Sequence, residues 1–251
     1  MRVAVIADIH ANWPALRAVI AHASRHKVHA LWNLGDSVGY GAFPEEVVAF
    51  LREAADLDVI GNFDLRVLDV ERQMEGWDRL TNPERVMGFN WAYGQLSSES
   101  RVYLRALSQH VRVRVKGHRI LLLHGSPDSI EEGLDAETPK KRLKELAAAV
   151  KDDLVLCAHS HRPFARQVKG VWFINPGSVG RPDDGDPRAS YVILKLKRGL
   201  LEIKHYRVAY DAERAARAIR QHDLPEVYAQ MVLQGRNLDE VAEALDADER
   251  R

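Results

Sequence analysis

The chain has 251 residues, long enough for one large domain with a sizeable core, and its 36 Lys+Arg balance 36 Asp+Glu. That neutrality disfavours long nucleic acid as a partner, because such binding rests on neutralising many phosphates. The single cysteine, Cys157, excludes an internal disulfide, and no apolar run approaches the ~20 residues of a membrane helix. The opening MRVAVIADIH, with one positive charge and a short apolar run, lacks the layout of a signal peptide, so a cytoplasmic protein with no membrane partner is expected.

In chain order, RVAVIAD is a short apolar run that ends in polar residues, as a strand buried on both faces does. NWPALRAVIAHASRH follows with helical apolar spacing and a proline in its first turn. ALWNLGD repeats the strand pattern, FPEEVVAFLREAA the helix, and LDVIGN is a third strand. Three such units predict parallel pairing with right-handed crossovers. Residues 65–108 read as helical throughout, with NPERV offering an Asn cap and Pro at the first helical position. The second half is strand-rich: VRVRV, RILLLHG, LVLCAHSH, VWFINPG, SYVILKL and LLEIKHYRV, with one helix opened by TPKKRLKELAAAV. The clean alternation of VRVRV marks a half-exposed or edge strand. From about Asp211 the chain is helical and charged, and the apolar stripe of YAQMVLQGRNLDEVAEAL must be buried on the core or against a second subunit. The expected division is a domain over residues 1–208 and a helical extension over 209–251, packed on the core or at a homodimer contact.

Five polar clusters stand just after the apolar runs: ADIH (Asp8, His10), GDSVGYG (Asp36), GNFD (Asn62, Asp64), LLLHGSP (His124) and AHSH (His159, His161). Ligands of open α/β sheets gather at the carboxyl ends of strands, which puts all five at one rim. Asp-x-His and His-x-His on an extended chain project both side chains to the same side. Mixed nitrogen and oxygen donors without thiolates suit Mn, Fe, Ni, Co or Zn, with Mn²⁺ the first choice. Seven donors exceed one tetrahedral ion and fit two divalent ions about 3.5–4 Å apart sharing a carboxylate. Such a site carries net positive charge and suits a phosphate ester, attacked by a metal-bridging hydroxide. Asp64 is expected either to cap the following helix or to accept from a histidine ligand. The remaining histidines lie on helices or in charged contexts and read as surface or half-buried residues.

With DIHAN, GDSVGYG, GNFD, HGSP, HSH and INPGSVGRPDDGDPRASYVIL in place, the chain resembles the calcineurin-like metallophosphoesterases, specifically their small YfcE-like phosphodiesterase branch, from Met1 to about Val208. The resemblance implies an α/β four-layer sandwich of two mixed β-sheets flanked by helices. It implies that Asp8, His10 and His161 hold one ion, that Asn62, His124 and His159 hold the other, and that Asp36 bridges them. It also implies hydrolysis of a small phosphodiester or nucleotide.

Many members of the superfamily carry histidine where this chain has Phe63, and that imidazole is assigned to protonating the leaving group. Phe63 cannot do so. General acid catalysis is typically worth ~10²–10⁴-fold, which handicaps the reaction and leaves metal-assisted attack available. Esters with good leaving groups are then the expected substrates, unless His10, Tyr40 or a bound water supplies the proton. The alternative is a binding scaffold of the same fold with weak or no catalysis. Asp36, Asn62 and His10 are the expected catalytic residues, and Phe63, Tyr40, Arg162 and Arg181 the candidates for substrate contact. Trp13 reads as core. NPGSVG resembles the turn that such enzymes place beside the metals, and reads equally as a simple strand-to-strand turn.

Overall fold

This computed structural model describes residues 1–70 and 83–249, with side chains described as far as residue 245. The first sheet is built from β1 (Arg2–Ile6), β2 (Ala30–Asn33), β3 (Leu57–Asp58), β9 (Ala189–Lys197) and β10 (Leu200–Val208), in the order β10-β9-β1-β2-β3. The second contains β4 (His110–Val115), β5 (His118–Leu123), β6 (Leu154–Leu156), β7 (Phe164–Val168) and β8 (Val171–Asn175), in the order β4-β5-β6-β8-β7. Both are mixed. β1, β2 and β3 pair in parallel, as do β5, β6 and β8, while the flanking strands pair antiparallel.

Alternation of side chains builds the layers. Val3 and Val5 of β1, with Trp32 of β2 and Leu194 of β9, face Ile120, Leu122, Leu156 and Ile174 of the other sheet and fill the space between the two. The intervening residues Ala4 and Ile6 turn outward onto α1 (Trp13–Arg25) and α2 (Pro44–Ala54). Leu121, Val155 and Phe173 turn outward on the second sheet, onto α6 (Lys140–Ala149). The result is the expected four-layer α/β sandwich. Helix α1 starts where it does because Asn12 Oδ1 accepts from Ala15 N at 3.2 Å and Pro14 sits in the first turn. Its buried residues Ala15, Leu16, Val19 and Ala23 follow the helical spacing.

Several expectations are modified. LDVIGN yields only the two-residue β3, with Val59 making an isolated bridge to Ser108, because the chain turns at Gly61 to begin α3 (Asn62–Leu68). The middle segment holds α3, α4 (Pro83–Gln95) and α5 (Ser98–Ala106); the predicted Asn82 cap lies outside the described residues. Strand β7 escaped the sequence reading because FARQV, interrupted by Arg166 and Gln167, pairs only at the sheet edge. VRVRV is an edge strand with alternating exposure, as expected.

The last three helices, α7 (Ala212–Gln221), α8 (Glu226–Gln234) and α9 (Leu238–Glu249), share one apolar cluster with Tyr40, Phe63 and Phe89. Tyr228, Met231, Val232, Leu238 and Val241, the stripe noted in the sequence, are buried there, so the chain covers that stripe itself. Among the described residues no helix is long and apolar enough to cross a membrane.

Candidate metal centre

Asp8 and His10 leave the end of β1, and Asp36 follows β2. His124 follows β5, His159 and His161 follow β6, and Asn62 opens α3. The two sheets thus contribute to one rim. The backbone there is not the extended chain expected for Asp-x-His and His-x-His. Asp8, His10, Asp36, His159 and His161 have φ of 51°, 46°, 53°, 67° and 58°. Left-handed backbone at a non-glycine residue costs about 1–2 kcal/mol, and five such positions in one site mark strain held in place by the surrounding packing.

Two close approaches hold that packing. A Cβ on Gly61 would stand 2.1 Å from Asp36 Oδ1, and one on Gly180 would stand 1.7 Å from Ile9 O. The NPGSVG turn serves the site: Ser178 Oγ donates to Asp8 O at 2.6 Å, Gly180 N donates to Asp8 O at 3.0 Å, and Asn12 Nδ2 donates to Gly180 O at 2.9 Å. Asn175 Nδ2 reaches Ala158 O at 3.0 Å and Ser160 Oγ at 2.9 Å, tying the turn to the His159 loop as well. Asp64 is fully buried, its Oδ1 accepting from Val38 N and its Oδ2 from Gly61 N, both at 3.0 Å. It therefore caps α3 and braces the loop whose Val38 carbonyl lies 3.3 Å from His10 Nδ1. Burial, with Asp36 nearby, pushes its carboxyl up to about 7.

The donors gather into two cups: Asp8, His10 and His161 in one, Asp36, His124 and His159 in the other, with the ligand atoms of each group within 4.8 Å of one another. Asn62 Oδ1 completes the second cup, 2.9 Å from His124 Nε2 and 3.1 Å from His159 Nδ1. Asp36 lies between them. Its Oδ1 accepts from Phe63 N at 2.8 Å, while its Oδ2 stands 3.8 Å from His10 Nε2 and 3.4 Å from His124 Nε2.

The chemistry of this donor set fits cations. His161 Nδ1 donates to Arg181 O at 2.6 Å and His124 Nδ1 to Leu34 O at 2.8 Å, so each ring aims Nε2 into the site, His161 as a lone pair and His124 as one that a cation would free of its proton. His10, with Nδ1 toward Val38 O, does the same, and its Nε2 lies only 3.2 Å from His161 Nε2. Burial drives His10 down to about 3 and His161 well below its ordinary value, so no proton relieves this facing pair. Neither oxygen of the buried Asp8 has a hydrogen-bond partner among the described residues, and burial pushes that carboxyl up to about 8. In the second cup burial opposes charge on His124, yet Asp36 and Asp8 together outweigh it and raise the ring to about 10. Converging lone pairs, an orphaned carboxylate and a histidine forced to hold a proton are what a cation satisfies.

The four candidates for substrate contact separate. Tyr40 and Phe63 pack edgewise on His10, ring centroids 5.2 and 5.1 Å away. Arg181 lies 5.0 Å over the Tyr40 ring, and one of its terminal nitrogens is 3.4 Å from His161 Nε2. Arg162 turns elsewhere, pairing with Asp183 at 3.7 Å and Asp135 at 4.0 Å. Trp13 packs on Phe50. Two residues missed in the sequence also stand at the site: Asn62 Nδ2 donates to Glu131 Oε2, and Arg66 donates to Glu131 Oε1, both at 3.0 Å. The available signal was the spacing of Asn62 and Arg66, four residues apart on one helix and so on the same face.

Residues 1–199 match the model of the calcineurin-like phosphoesterase superfamily domain. The Methanocaldococcus jannaschii protein MJ0912 is 32% identical, the match covering 93% of this chain and 98% of the relative. The crystal structure of a metallophosphoesterase from Sphaerobacter thermophilus aligns with TM-score 0.79 at 30% identity, over 94% of this chain and 99% of that one. PH1004 from Pyrococcus horikoshii shares the fold, with TM-score 0.83 at 21% identity, over 93% of this chain and 98% of that one.

Proposed function

The chain belongs to the calcineurin-like phosphoesterase superfamily, and from that premise we propose that it is a phosphodiesterase dependent on two divalent metal ions and acting on small phosphodiesters or nucleotides. The observation that carries this reading is the pair of donor cups sharing Asp36. Asp8, His10 and His161 would hold one ion, Asn62, His124 and His159 the other, and Asp36 both. Manganese is the first choice for this nitrogen–oxygen set, with Fe, Ni, Co and Zn as alternatives. Ions held there would polarise the phosphoryl oxygens and supply an activated water near neutral pH.

The chain's own residues set the selectivity. Arg181, mostly buried against Tyr40 and beside His161, offers a guanidinium to a phosphoryl oxygen, and its Nε has no hydrogen-bond partner among the described residues. Phe63 and Tyr40 give an aromatic wall that suits a base or aryl group. Position 63 offers no proton, and the Nδ1 of His10 already faces Val38 O while its Nε2 faces the first cup. The leaving group must therefore depart without help from either, which favours aryl and cyclic diesters over alkyl monoesters.

The test is metal content followed by hydrolysis of bis(p-nitrophenyl) phosphate with added Mn²⁺, in wild type and Asp36→Asn. About two ions per chain, with nitrophenol release abolished by the substitution, is the expected result. Bound metal with no turnover of this or any phosphoester would refute the enzyme and favour the scaffold.

A further inference from the structure

Asn62 is the one donor in the second cup with two chemically opposite faces. Its amide can present Oδ1, which binds a cation, or Nδ2, which donates hydrogens and repels one. Facing it are His124 Nε2 at 2.9 Å and His159 Nδ1 at 3.1 Å. With both rings neutral, as metal ligands must be, an amide N–H would satisfy their lone pairs directly, so the wrong face would be welcome there. Left to those two rings, the site would close itself against metal.

The other side of the amide decides otherwise. Nδ2 donates to Glu131 Oε2 at 3.0 Å, and a carboxylate can only accept. Turning the amide over would set Asn62 Oδ1 against that carboxylate, exchanging a charge-assisted hydrogen bond for a repulsion. Glu131 is itself held: Arg66 donates to its Oε1 at 3.0 Å from one turn further along α3. The loop that carries it is pinned next door, where Arg142 bonds Glu132 at 2.6 Å and Asp128 at 2.7 Å. As an ion pair on a half-exposed surface, Arg66–Glu131 contributes little to stability. Its geometry matters more than its energy.

We propose that Glu131 is a positioning residue for the second metal: it fixes the Asn62 amide with Oδ1 toward His124 and His159, and Arg66 holds Glu131 in place to do so. The inference rests on the reading of Asn62 as a donor to that ion. Partners of this kind behind a ligand are typically worth ~10–100-fold in metal affinity.

Equilibrium dialysis with Mn²⁺ alone, followed by metal analysis, reads the two affinities without any substrate. Glu131→Ala is expected to weaken the second ion by about 10–100-fold and to leave the first unchanged. Glu131→Gln, which keeps an acceptor oxygen, should restore most of the loss. The decisive background is Asn62→Asp. A carboxylate at position 62 has no wrong face, and Glu131 then only repels it, so adding Glu131→Ala should strengthen the second ion. An equal loss in both backgrounds would mean that Glu131 merely holds its loop, and no loss in the wild-type background would mean it does nothing; either overturns the proposal. If Asn62→Ala itself leaves both affinities intact, the two-cup reading fails and this inference with it.

Discussion

Replacing Phe63 by histidine tests whether the missing acid limits the reaction. The phenyl ring is only 9% exposed, edge-on to His10 at 5.1 Å and to Phe89 at 5.0 Å, so an imidazole there enters a crowded apolar pocket. Losing buried phenyl area and burying a polar ring costs about 2 kcal/mol, which lowers Tm by roughly 4–8 °C in a chain of this length. The catalytic gain works the other way. A well-placed general acid provides ~10²–10⁴-fold, but a histidine inserted without a partner to orient it should reach only about tenfold, or ~1.4 kcal/mol of barrier. The assay is kcat/KM across a series of aryl phosphodiesters graded by leaving group. The nitrophenyl ester, whose phenolate departs without a proton, should gain nothing, and the gain should grow as the leaving group worsens. It should be present at low pH and vanish as pH rises through the new imidazole's pKa, since only the protonated ring donates. A uniform change across the series would refute the reasoning, because it would show that Phe63 affects binding or packing and not proton supply.

Gly61→Ala should abolish binding of metal and destabilise the fold by about 3 kcal/mol, since its Cβ would meet Asp36 Oδ1 at 2.1 Å and Asp36 N at 2.2 Å. Gly94→Ala, on α4 with nothing among the described residues within 4 Å of its Cβ, should instead stabilise by about 0.5–1 kcal/mol, and thermal unfolding with metal analysis separates the two. Burial pushes Asp58 from 3.8 up to about 8, against its hydrogen bonds from Tyr103 and Asn33. A carboxyl that holds its proton more tightly when folded gives stability below its unfolded pKa, and that stability is lost as pH rises through the folded value. Wild-type Tm should therefore fall more steeply than that of Asp58→Asn between about pH 4 and pH 8; parallel slopes at matched metal loading would refute the assignment. Adding Mn²⁺ to stripped protein at a hundredfold excess over Kd should stabilise by about 2.7 kcal/mol per site, read as a rise in Tm. His161→Ala should lose part of that rise and Asp36→Asn most of it, and a Tm indifferent to chelation would count against both cups.

The donors were legible in the sequence because each follows an apolar run, and the ends of buried strands are where α/β sheets place ligands. Asp8, Asp36, His124, His159 and His161 could be found that way, and an α/β domain with them; the four layers followed only from the resemblance that the motifs carry. What could not be read was the manner of presentation. Asp-x-His looked like two side chains on one face of a strand, yet both residues sit in left-handed backbone that only the NPGSVG turn and the glycine contacts make tenable. Those contacts join residues about 170 apart, and spacing along the chain does not encode them. Arg162 looked like Arg181 for a similar reason: both follow motifs and both reach Asp183, and only the fold shows one folded over Tyr40 beside His161 and the other turned toward Asp135. Glu131 was invisible because its role depends on an amide it does not adjoin in sequence.

The strain and the donors have a common explanation in where the site lies. Asp8, Asp36 and Asn62 come from the sheet that carries β1 and β2, and His124, His159 and His161 from the sheet that carries β5 and β6. Each cup takes donors from both, so a cation in either joins the two halves of the sandwich at their rim. Between the sheets the contact is apolar and close-packed, a surface that resists separation but carries little directional information. At the rim the information is directional: three imidazoles are aimed by backbone carbonyls, Asp36 by the Phe63 amide and Asn62 by Glu131. Such aiming places lone pairs against one another in a buried space, an arrangement that packing alone would relax. It persists because neighbours already hold these five donors from behind, which is also what leaves the front of each free for a metal.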